Sequence, residues 1–178
     1  MDVEFTEEQR LLRESLDRLL GDELEFAKRK IYLADPDGFS RAMWAQYAEL
    51  GLLGLPFTEE QGGFGGGGVE TMIVMEALGR VIALEPYLAT VVLAGTALKL
   101  AGSAVQKEAL IPQIVDGSLR LALAHGERQA RYDLADVVTT AAKTGGAWRL
   151  DGAQSVVVHG GSADRLISAS VWPGPANS

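Results

Sequence analysis

The sequence predicts an α+β fold in which an N-terminal antiparallel helical bundle precedes an incomplete antiparallel β domain. Capping signals followed by apolar stripes at helical spacing recur to about residue 117. From Ser118 the pattern changes to short strand-like runs, two of them joined by a Thr144-Gly145-Gly146 turn. These observations place a helical domain at 1–117, a partial β domain at 118–171 and a patternless tail, expected to be disordered, at 172–178.

The elements follow in order. Thr6-Glu7-Glu8-Gln9 is a capping box, and Leu12, Leu16 and Leu19 mark one face, so a first helix should run from Glu7 towards Lys30. Asp35 and Pro36 suit the N-cap and first position of a second helix, whose buried stripe is Phe39, Met43, Tyr47 and Leu50 and whose stop is Gly51. Val69 to Ala83 is apolar nearly all round, as in a helix enclosed by neighbours, with Glu76 and Arg80 set as an (i, i+4) pair. Tyr87 to Leu100 forms the next helix, and a Ser103–Gln106 capping box opens a last one that Pro112 bends and Gly117 ends. Short connections between five helices argue for an antiparallel bundle. Strands are expected at Leu119–His125, Val137–Lys143, Ala147–Asp151, Ser155–His159 and Leu166–Val171. That is too little sheet for a complete sandwich or barrel, so the chain reads as one cut short, with uncovered apolar surface that favours oligomerisation.

Twenty-four acids against sixteen bases give a net charge of −8 and a pI near 4.8. Such a surface repels phosphate backbones, which argues against nucleic-acid binding. The absence of cysteine removes disulfides, thiolate nucleophiles and Cys-based metal sites, and two distant histidines suggest no zinc centre. MDVEFTEEQR is not a signal peptide and no apolar run reaches about 18 residues, the length a membrane span needs, so the expected setting is cytoplasmic.

The densest local signal is GLLGLPFTEEQGGFGGGGVETMIVMEALGR, residues 51–80: a strand-like apolar run, Pro56, an acidic pair, six glycines and an apolar helix. It must fold as a tight loop between packed elements. No Gly-Lys-Ser/Thr follows and no strand-Gly-x-Gly-x-x-Gly-helix unit surrounds it, which weighs against a phosphate cradle. Glu59 and Glu60 read as solvated turn acids, His159 as a turn residue, Met72 and Met75 as core filler, and Trp44 and Tyr47 as packing residues.

Leu52-Leu53-Gly54-Leu55-Pro56, Glu59-Glu60-Gln61-Gly62-Gly63, Glu76-Ala77-Leu78-Gly79-Arg80 and Leu150-Asp151-Gly152, in this order and spacing, resemble the first half of an acyl-CoA dehydrogenase. The stretch Arg128-Gln129-Ala130-Arg131-Tyr132-Asp133-Leu134-Ala135-Asp136 resembles the small subunit of pimeloyl-CoA-dehydrogenase-like enzymes, in which a related large subunit is the partner. The resemblance implies FAD as cofactor, an acyl-CoA thioester as substrate (with a dicarboxylyl one such as pimeloyl-CoA as the variant the small-subunit likeness suggests) and an electron acceptor protein. The implied reaction is α,β-dehydrogenation: a carboxylate removes the α-proton while the β-hydrogen leaves as hydride to the flavin. That carboxylate belongs to a C-terminal domain outside this chain, so no catalytic residue is assigned and the chain alone should be inactive.

The family's Thr-Glu-Pro-x-x-Gly-Ser-Asp flavin segment falls on Gly126 to Asp133, and its Trp-Ile-Thr on Val156, Val157 and Val158. The cofactor-facing set implied is Leu123, His125, Gly126, Glu127, Tyr132, Val156, Val157 and Val158; a satisfied strand-terminal imidazole is the alternative for His125. Only Glu127 and Asp133 keep the family residue. Gly126 and Val158 lack the hydroxyls, Val156 lacks the aromatic face, and Tyr132 could fill space meant for the ligand. Backbone N–H groups could still hold a flavin. The other reading is a non-catalytic interaction subunit whose flavin site is degenerate.

Overall fold

The computed structural model describes residues 4–23 and 26–172. Helices α1 (Glu7–Glu23), α2 (Phe26–Leu33), α3 (Arg41–Glu49) and α4 (Gly68–Arg80) come first, and a π-helical segment, Leu88–Gly95, runs directly into α5 (Thr96–Ala101). After α6 (Ala104–Val115) come β1 (Leu121–Ala124), β2 (Thr140–Thr144), β3 (Ala147–Asp151) and β4 (Arg165–Ser168). The fold class is therefore α+β, helices first.

The first helix, expected from Glu7 towards Lys30, is described as α1 and α2 on either side of positions 24 and 25, which lie outside the described residues. Its capping box forms as read: Thr6 Oγ1 accepts from the Gln9 N–H at 3.2 Å, and Gln9 Oε1 accepts from the Thr6 N–H at 3.0 Å. The same Gln9 amide donates to Glu70 Oε1 at 2.7 Å, and Glu70 Oε2 accepts the Gly67 N–H at 2.7 Å. Two helix N-termini are thereby tied together, α1 to α4. Glu76 and Arg80 do not pair with each other. Glu76 meets Arg13 at 3.4 Å and Arg80 meets Asp17, so both reach across to α1. Exposed pairs of this kind contribute about 0–1 kcal/mol; the buried Leu16, Leu20, Ile73 and Val74 hold the two helices. Met75 is half-buried, whereas Met72 is 48% exposed and is not core.

Pro36 does not open α3. Asp35 closes a turn on the Asp37 N–H (2.9 Å) and Gly38 takes φ 75°, so the helix starts only at Ser40, whose Oγ accepts the Met43 N–H at 3.2 Å. Trp44 and Tyr47 pack as expected, the indole N–H donating to the Gly117 carbonyl at 2.9 Å. Leu52–Gly54, read as strand-like, is a buried 3₁₀ turn. The glycine loop spends its N–H groups on the chain behind it: Gly63 on Thr58, Phe64 on Gly54, Gly65 on Phe57 and Gly66 on Leu55. A Cβ at Gly63 would stand 2.3 Å from the Phe57 carbonyl oxygen, so the glycine is required by close backbone approach. Donors used this way do not cradle phosphate.

The β region departs further. β2 and β3 form the expected antiparallel hairpin, but β1 and β4 pair in parallel, Leu121 opposite Arg165 and Ala124 opposite Ser168. Ser155–His159 is not a strand: Val156 (φ 56°) and His159 (φ 55°) are left-handed and break any ladder. Trp172, placed in the tail by its sequence, stands edge-to-face with Trp148 at 5.6 Å; the remainder of the tail lies outside the described residues. The start of the sheet is locked by Arg120, which chelates Asp164 (2.8 and 3.1 Å), approaches Asp37 at 3.7 Å and lies over the Phe39 ring.

Helices and sheet share one core, with Leu121 of β1 among its fully buried members. Thr90, in the π-helical segment, donates its hydroxyl to the Leu121 carbonyl at 3.0 Å and accepts the Leu121 N–H at 3.2 Å. Replacing Thr90 by Val should therefore destabilise the chain by about 1–3 kcal/mol in denaturant unfolding, because two buried backbone groups lose their partner. Thr90→Ser should recover most of the loss.

Candidate functional site

β1 delivers the predicted cofactor-facing residues into a loop. Leu123 and His125 are half-buried, Gly126 is exposed and Glu127 is buried. His125 Nε2 lies 2.9 Å from the Leu134 carbonyl, a contact that requires the proton on Nε2 and pins the loop's far side. The imidazole is thus satisfied within its own loop. The Gly126 carbonyl accepts the Ser155 N–H at 2.8 Å, which brings the 126–133 and 155–159 segments side by side.

Glu127 faces inward. Its carboxylate accepts the Thr139 N–H at 2.9 Å, the Val138 N–H at 3.0 Å and the Gln129 amide at 2.7 Å. The Thr139 side chain and N–H, followed by the other two donors, hold its pKa down to about 2. Thr139 Oγ1 itself completes no hydrogen bond of good geometry, so the two backbone N–H groups and the amide are the firm basis of that shift. This carboxylate ties the loop to the start of β2. It is not free for a ligand. The Leu150-Asp151-Gly152 motif serves the same corner, because a Cβ at Gly152 would sit 2.2 Å from Thr139 Oγ1 and 2.7 Å from Thr139 Cα.

Tyr132 and Val156 project outward, 98% and 92% exposed, so Tyr132 fills no interior space. Among the described residues the N–H groups of Val156, Val157 and Val158 have no hydrogen-bond partner. Val157 is half-buried and packs over Gly160. Val158 reaches a cavity of about 270 Å³ that separates its loop from α4 and the chain leading into the π-helical segment. Met75, Leu78, Ile82 and Leu88 give its apolar wall, and Glu85 and His159 are its polar members. His159 stands edge-on to Phe39 at 6.2 Å, and burial lowers its pKa, favouring the neutral ring. It is the turn residue expected, with the addition that it lines this cavity.

Glu85 was not singled out by the sequence. It is 6% exposed, with Oε2 3.3 Å from the Tyr47 hydroxyl and Oε1 3.4 Å from the Ser40 N–H. Burial raises its pKa against these long contacts. The available signal was an acid inside the apolar run VIALEPYLATVVL.

The α4 face and the loops of the β region meet at a half-open cavity whose lining is mostly apolar. Residues 6–118 match the acyl-CoA dehydrogenase N-terminal domain. The chain is 32% identical to mitochondrial isovaleryl-CoA dehydrogenase from Pongo abelii over 166 residues, covering 92% of this chain and 39% of that protein. Among solved structures, the ChsE4-ChsE5 complex from Mycobacterium tuberculosis superposes with a TM-score of 0.85 at 29% identity, over 97% of this chain and 46% of that one. A steroid ACAD, the G363A variant of Tcur3481-Tcur3483, gives 0.84 at 30% identity, covering 94% and 45%. The chain belongs to the acyl-CoA dehydrogenase family. It spans less than half the length of these relatives. No helix among the described residues is long and apolar enough to cross a membrane.

The Glu127 carboxylate should make stability depend on pH. Its folded pKa of about 2 lies below the 4.5 of a free glutamate, so its contribution is complete above the higher value and lost as pH falls towards the lower. The stability gap between wild type and Glu127→Gln, measured by urea unfolding, should be constant at neutral pH and close between those two values. Gly152→Ala should cost about 1–3 kcal/mol by the same assay, since the Thr139 backbone would have to move.

Proposed function

We propose that this chain supplies one wall of an FAD-dependent acyl-CoA dehydrogenase site that is completed by further polypeptide, either more of its own chain or a related large subunit. The carrying observation is the cavity in which Val158 meets α4 and the entry to the π-helical segment. The residues fit one side of a flavin. Val156 and Val158 offer an apolar surface and the Val156, Val157 and Val158 N–H groups offer donors without internal partners. Leu123, His125 and Gly126 shape the adjoining loop, with Tyr132 at its outer rim. In this reading bound FAD supplies the oxidising power for converting the acyl α,β bond to a double bond. The chain's own part is to bind and orient the acyl group and to keep water from it; it contributes no base. A cytoplasmic setting and delivery of electrons to an acceptor protein belong to the same reading. A dicarboxylyl substrate such as pimeloyl-CoA is the less favoured variant, because this cavity's lining includes an acid and no Lys or Arg.

A second reading, a non-catalytic interaction subunit, draws support from Glu127, whose carboxylate is consumed internally, and from the missing hydroxyls at Gly126 and Val158. Co-expression with a related large subunit separates the two. The expected result is flavin absorbance co-eluting with a mixed complex at about one flavin per copy of this chain. Val158→Asp should lower that content several-fold, since it places a charge against the apolar wall. Flavin held wholly by the large chain and indifferent to Val158→Asp would establish the interaction subunit instead.

A further inference from the structure

The end of α4 differs from other helix ends of the chain in one residue. α3 is capped by Leu50 and α6 by Asp116, and each cap is followed by a left-handed glycine, Gly51 at φ 73° and Gly117 at φ 78°. After Val81, the cap of α4, the same position is held by Ile82 at φ 52°. The turn is otherwise a regular helix stop: the Ile82 N–H donates to the Gly79 carbonyl at 3.2 Å and the Ala83 N–H to the Leu78 carbonyl at 3.0 Å. A left-handed backbone suits glycine and is an outlier for a side chain branched at Cβ.

Nothing within the chain accounts for isoleucine there. The bonds of the turn, and the one that the Ile82 carbonyl accepts from Arg29 Nε at 3.0 Å, use main-chain groups that a glycine at 82 would leave in place. Burial does not account for it either, since the side chain is 62% exposed. What that side chain does is line the cavity, together with Met75, Leu78, Leu88 and Val158. The facing loop repeats the pattern. Among the described residues four non-glycine residues are left-handed; Ile82 and His159 line this cavity, and Val156 stands two residues before Val158. Strain gathered at one cavity, and uncompensated by burial at Ile82, points to an occupant that compensates it on binding.

We propose that Ile82 is a hydrocarbon-binding residue of the acyl site, a rim side chain that packs on the bound acyl group at the expense of the chain's own stability. The occupant is hydrocarbon because the residues that share the lining with Ile82 are apolar except for Glu85 and His159. The inference deepens the acyl-site reading and rests on it for the identity of the ligand. The contact itself needs neither flavin nor thioester.

The test uses the full chain with 1-octanol as the hydrocarbon probe. Without the probe, Ile82→Gly should raise the Tm by about 2–4 °C, because relief of the left-handed strain outweighs the loss of a mostly exposed side chain. In a titration followed by NMR with ¹³C-methyl-labelled isoleucine, the Ile82 methyl should show a nuclear Overhauser contact to the octanol chain. The octanol Kd should weaken about fivefold in Ile82→Gly and stay within about twofold of wild type in Ile82→Leu, which keeps an apolar side chain. A variant that gains stability and binds octanol as wild type does would show that Ile82 is kept for another surface, such as further polypeptide laid over it; that result overturns the proposal. A lower Tm in Ile82→Gly overturns it too, since the side chain would then be compensated inside the chain. So does the absence of saturable octanol binding. Loss of flavin from the mixed complex, with the Ile82 results intact, would instead count against the dehydrogenase reading alone.

Discussion

The junction between helices and sheet depends on one buried side chain. Thr90 meets both backbone polar groups of Leu121, and by doing so it seats the first strand on the π-helical segment. Leu121 is 1% exposed, so its N–H and carbonyl could not turn to water if Thr90 were apolar. Everything placed by β1 inherits this anchor: the parallel partner β4, the Arg120–Asp164 chelate at its start, and the loop from His125 onward at its end. The cavity follows from the same junction, since the π-helical segment supplies Leu88 to one wall and the loops of the β region supply Val158 to the other.

Two buried glutamates show how environment divides one residue type into two uses. Glu127 collects three donors within 3.0 Å and stays charged, fastening a loop to β2. The hydrogen bonds that Glu85 receives from Ser40 and Tyr47 are both 3.3 Å or longer, and burial raises its pKa. Desolvation acts on both, and the number and shortness of hydrogen bonds decide the direction in which each pKa moves. The charged one is structural because its lone pairs are taken. Glu85 lies at the edge of a cavity whose lining is otherwise apolar except for His159.

Much of the helical half was legible because its signals are local. The Thr6–Gln9 and Ser103–Gln106 capping boxes formed as read, and Leu16, Phe39, Met43 and Tyr47 are buried as their stripes required. The errors came where a local signal met a stronger competitor. Asp35-Pro36 looked like a helix start, but the turn closed by Gly38 took precedence. Glu76 and Arg80 had the spacing of a pair, yet each found an opposite charge on α1 instead. Ser155–His159 had strand composition, and two left-handed residues turned it into the loop that borders the cavity. The site was visible only as a family resemblance in 126–133 and 156–158. Glu85 was missed because its partners, Ser40 and Tyr47, lie 45 and 38 residues away in sequence.

By itself the sequence determined the fold class, the order of helices before strands and the ends of several helices, because caps, glycines and apolar periodicity act within a few residues of one another. Tertiary structure alone decided which strands pair in parallel, where Glu127 spends its charge and that Glu85 lies beside a cavity. Each of those depends on groups remote in the chain being brought within hydrogen-bonding distance, and a linear pattern carries no record of such a meeting.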